Sequence, residues 1–151
     1  MAVSFQPHAF ASGPFERDLA AGVDVVASLV RSTLGEPAFD WSLDGTDDAE
    51  IICERVDDRG ESRGSLVDVV CAQLDRSSET ARLLALVSAN GRLAERPPYL
   101  GFLLPDEIRR VTTLLGGTVL DDTDAERDRR LLLRLFEKTF EASVGLYWLA
   151  L

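Results

Sequence analysis

Apolar residues recur along the chain at two periods, one suited to helices and one to strands. Phe15, Leu19, Val23, Val26, Val30 and Leu34 are spaced by threes and fours, which keeps them on one stripe of an α-helix that Gly35 and Pro37 would stop. Phe39, Trp41 and Leu43 then alternate with Ala38, Asp40 and Ser42, the period of a half-buried strand, ahead of the turn dipeptide Asp44-Gly45. The Ile- and Val-rich run from Glu50 to Val56 suits a partner strand better than a helix, and Gly60 and Gly64 among charges mark Asp57 to Gly64 as a loop. Upstream, Met1 to Pro14 shows no sustained period and carries Pro7, Gly13 and Pro14. Residues 1–14 therefore read as a loosely held arm, and 15–151 as one domain.

Two short helices follow. Leu66, Val69, Val70 and Leu74 share a face with Ser65 as a candidate N-cap, and Ala81, Leu84, Ala85 and Ser88 share another, opened by Ser78 and closed by Asn90-Gly91. The polar link Asp75 to Ser77 joins them as a helical hairpin. Arg96-Pro97-Pro98 blocks helix, so Tyr99 to Leu104 is a strand or an extended link. Pro105-Asp106-Glu107 has the make-up of a first helical turn, Ile108, Val111 and Leu115 form the apolar face behind it, and Gly116-Gly117 ends it.

The strongest periodicity comes last. Thr123 and Glu126 have capping-box spacing, and Leu132, Leu135, Phe136, Thr139, Phe140 and Ser143 then line one helical face until Gly145. Leu131 and Leu133 widen that face. Leu146 to Leu151 is apolar on both faces if extended, which predicts a central strand covered from both sides, or else an interface. The fold class expected is α+β: a helix-dominated single domain with a small sheet that includes a C-terminal strand.

The segment from Tyr99 to Ile108, followed by a helix and by a long Leu/Phe helix through Phe136, Phe140 and Ala142 into an apolar strand, resembles the YfbM-like group of small bacterial proteins. The resemblance spans the last third to half of the chain. It implies an α+β fold and brings no activity or site residues with it.

Composition narrows the function classes. The 151 residues are 46% hydrophobic and 28% charged with a net charge of −10, which favours a folded acidic domain over disorder. Nucleic acid and anionic membrane are not expected as partners, since both are bound through clustered Lys and Arg. Met1 to Gly13 has no Lys or Arg and no signal-like apolar run, and the apolar stretch near Val144 to Leu151 is too short to span a bilayer, so a cytoplasmic protein is expected. Cys53 and Cys71 sit in apolar surroundings and read as reduced core thiols.

Candidate chemistry is sparse. His8 is the sole histidine and lies in the expected arm, which argues against His-dependent catalysis, and with Cys53 and Cys71 it has no zinc-site spacing. No phosphate-binding glycine motif occurs, so no cofactor is expected. The acids of Asp121 to Glu126 suit helix capping better than a cation, and those of Asp44 to Glu50 lack EF-hand spacing.

Negative charge is unevenly placed. Nine acids and two arginines between Asp40 and Glu61 give −7, against −3 for the remaining seventeen acids and fourteen bases. These acids are either ordinary solvated turn residues or a docking face. In the second case Asp40, Trp41, Asp44, Asp47, Asp48, Glu50, Asp57 and Asp58 would steer and anchor a protein partner with a basic surface. The function expected is then a non-enzymatic acidic binding module, immunity-like or antitoxin-like. The alternative is a small enzyme or ligand carrier with an Arg/carboxylate pocket near Tyr99, Arg109 and Arg110, and a third option is a homodimer formed through Leu146 to Leu151.

Overall fold

A strand that is apolar on both faces has to lie inside a sheet with cover on each side, and Gly145–Ala150 does so. The computed structural model describes residues 8–33, 66–87, 92 and 99–150. Within them β1 (His8–Phe10), β2 (Tyr99–Leu103) and β3 (Gly145–Ala150) form an antiparallel sheet in the order β1-β3-β2. Among the described residues six helices pack with it: α1 (Ser12–Ala20), α2 (Val25–Thr33), α3 (Leu66–Ala72), α4 (Glu79–Ala85), α5 (Pro105–Gly116) and α6 (Thr123–Glu141). The class is α+β and helix-dominated, with the C-terminal strand at the centre of the sheet.

Register sorts the core into two layers. His8, Tyr147 and Phe102 are cross-strand partners in one row, and Ala9, Leu146 and Leu103 in the next. Side chains alternate along a strand, so adjacent rows face opposite ways. On one face Phe10, Leu100 and Phe102 pack with Phe15 of α1 and with Val25 and Leu29 of α2; the Phe15 ring lies 4.5 Å from Phe10 and 5.0 Å from Phe102 between centroids. On the other, Ala9, Leu103, Leu146 and Trp148 meet the larger core formed by α3 to α6. Each fully buried Phe or Leu contributes about 1.5 to 3 kcal/mol, so both layers depend on β3.

Several elements depart from expectation. His8–Phe10 pairs with Gly145 to Tyr147, and Ala9 and Phe10 are buried. An arm over residues 1–14 is thus corrected from His8 onward: a partner strand far along the chain supplies the hydrogen bonds that local sequence could not. The single helix expected from Phe15 to Leu34 is two. Gly22 takes φ +79°, Gly22 N donates to Leu19 O and Val23 N to Asp18 O, and this left-handed cap ends α1. Asp24 restarts the helix by accepting from Ala27 N at 3.0 Å.

On α3 the expected Val70 is buried, with Val69 and Leu74 half-buried against the same core, and Val67, not expected on that face, is buried too. Ser78 does cap α4, accepting from Ala81 N, and Asp75 closes the preceding turn by accepting from Ser77 N and Oγ. Tyr99 to Leu103 is a strand, and Pro105 opens α5. The long helix is capped by Asp122, which accepts from Ala125 N, where Thr123 was expected. It stops before Gly145. Ser143, at φ 57°, donates to Phe140 O while Val144 N donates to Thr139 O, and Gly145 already belongs to β3, close beneath the Phe10 ring. Phe140, expected on the buried face, is 44% exposed. Among the described residues no helix is long and apolar enough to cross a membrane.

Candidate functional site

The acidic face expected from sequence lies outside the described residues: Asp40, Trp41, Asp44, Asp47, Asp48, Glu50, Asp57 and Asp58 all do, as do Cys53 and the expected hairpin. The described residues show the scaffold that carries this segment, and how its own charges are used.

Among the described residues a dense polar cluster joins α5 to α6. The carboxylate of Glu126 accepts from Arg129 Nε at 2.6 Å and Nη2 at 2.8 Å, from Arg130 Nε at 2.9 Å and from the Leu120 amide at 3.0 Å. Arg129 in turn donates Nη1 to Leu115 O at 2.7 Å. The Arg129 guanidinium, then the Leu120 amide, hold the Glu126 carboxyl well below the usual carboxylate range. Both oxygens of Glu126 and three nitrogens of Arg129 are bonded within the chain, which fits a structural clasp.

A second cluster secures the outer side of β2. Arg92 N donates to Leu100 O at 2.7 Å, and its guanidinium sits 4.2 Å above the Phe102 ring centroid while donating to Glu107 Oε1 at 2.8 Å. Glu107 also accepts from Leu104 N, closing the first turn of α5. Of the residues proposed for an Arg/carboxylate pocket, Arg110 is committed to a two-pronged pair with Glu79 of α4, at 2.8 Å on each prong. Its neighbour Arg109 is exposed, and Tyr99 pairs in register with Ala150.

Among the described residues His8 and Cys71 pack against neighbouring side chains. The His8 ring stacks on Tyr147 with centroids 5.2 Å apart. Cys71 is a half-buried free thiol, and burial followed by the charge of Asp68 pushes its pKa up, which keeps it protonated and unreactive at neutral pH. Among the described residues no three His, Cys, Asp or Glu side chains gather as a metal-ion site.

Sequence spacing contained part of this. Glu126, Arg129 and Arg130 stand at i, i+3 and i+4, the separations that bring helix side chains together, whereas Arg92 meets Glu107 only through the fold. No protein-family model matches the chain, and comparisons with curated proteins and with solved structures find no match either.

Proposed function

We propose that this chain is an acidic, non-enzymatic protein-binding module, an immunity-like or antitoxin-like inhibitor that acts in the cytoplasm by covering a basic surface on another protein. The observation that carries this reading is the gathering of −7 of the net −10 charge between Asp40 and Glu61, around Trp41. A concentrated negative field speeds encounter with a basic partner and disfavours acidic ones, and a large aromatic residue within it supplies contact area at low entropic cost. The scaffold's internal pairing is consistent with this. Arg92, Arg110, Arg129 and Arg130 pair with Glu107, Glu79 and Glu126, so each of these four cations has a carboxylate partner within the scaffold itself. Kinship of the C-terminal half with the YfbM-like group is part of the same proposal and concerns the fold alone.

The test is to capture partners from cell extract on the immobilised protein, purify any complex and measure its affinity at low and high salt with the wild type and with Asp47→Lys/Asp48→Lys. A stoichiometric complex weakened about tenfold or more by salt and by the charge reversal is expected. A complex indifferent to both, or no complex at all, overturns the assignment.

A further inference from the structure

We draw no further inference here: the strongest candidate, the exposed cationic stripe of α6 formed by Arg127, Arg130, Arg134 and Lys138, already has Arg130 paired with Glu126 and Lys138 with Glu141, and nothing in the structure shows what would cover it.

Discussion

Arg129 of α6 donates a 2.7 Å hydrogen bond to the carbonyl of Leu115, in the last turn of α5, while Glu126 grips the opposite side of the same guanidinium. Leu115 O also accepts from Thr118 N at 3.2 Å, so Arg129 supplies, from the next helix, the second hydrogen bond of a helix-end carbonyl. Arg129→Ala leaves Leu115 O with Thr118 N alone and takes two donors from Glu126, which keeps Leu120 N and Arg130, and is expected to cost about 1 to 3 kcal/mol. Arg129→Lys recovers only part of this, because an ammonium cannot span the carboxylate and the carbonyl as a fork. Urea unfolding reads the effect as a lower midpoint at constant slope, and an unchanged midpoint in the alanine variant would show the contact to be idle.

The same clasp sets a pH dependence. Glu126 has a carboxyl pKa depressed in the folded state below its unfolded value of about 4.3. The stability it contributes is complete above that unfolded value and drains away as pH falls toward the folded one. Glu126→Gln removes this titration, so its stability should fall less between about pH 5 and pH 3 than the wild type's does. Parallel acid limbs for the two proteins would contradict the linkage.

Ser143 occupies the left-handed slot after α6 at φ 57°, where glycine is the usual residue. Relief of the Cβ crowding outweighs the added freedom of the unfolded chain, so Ser143→Gly should stabilise by up to about 1 kcal/mol. A β-branched side chain fits this slot worse, and Ser143→Val should lose about 1 to 2 kcal/mol. Calorimetric melting of the pair tests the sign. Equal melting temperatures would mean that the junction relaxes out of the left-handed region.

Gly101 lies directly under the end of the α4 segment. A Cβ there would stand 2.6 Å from Val87 Cα and 2.8 Å from Leu86 O, both main-chain atoms that cannot swing aside as a side chain would. Gly101→Ala should therefore cost about 1 to 3 kcal/mol through overpacking. A drop of roughly 3 to 10 °C in melting temperature is expected, and a melt matching wild type would show that the segment gives way freely.

What the sequence revealed depended on whether the cause was local. Ser78, Pro105 and the Leu132 to Phe136 face act within a few residues of themselves, and each is found in its expected role. Val23 and Val26 keep helical spacing across the break at Gly22, so periodicity alone joins two helices into one. The cue lay in the pairing of Gly22 with Asp24, a stop signal followed by a start signal. His8–Phe10 is too short to show a period and owes its existence to β3. Thr123 matches the capping-box spacing, yet Asp122 is one position better placed to cap and leaves Glu126 to bind Leu120 and Arg129. The acidic segment was legible as charge; its arrangement in space lies outside the described residues.

The pairing of His8 with Tyr147 brings together residues about 140 positions apart. Closing so long a loop carries an entropic penalty that is recovered only once the contacts behind it form, which places this ladder among the slow events of folding. β3 is also the last of the three strands to be synthesised, so until it arrives Phe10 and Phe102 lack the ribbon that lies between them. A nascent chain stalled before Gly145 would display two greasy half-sheets with a missing middle, an invitation to chaperones and proteases.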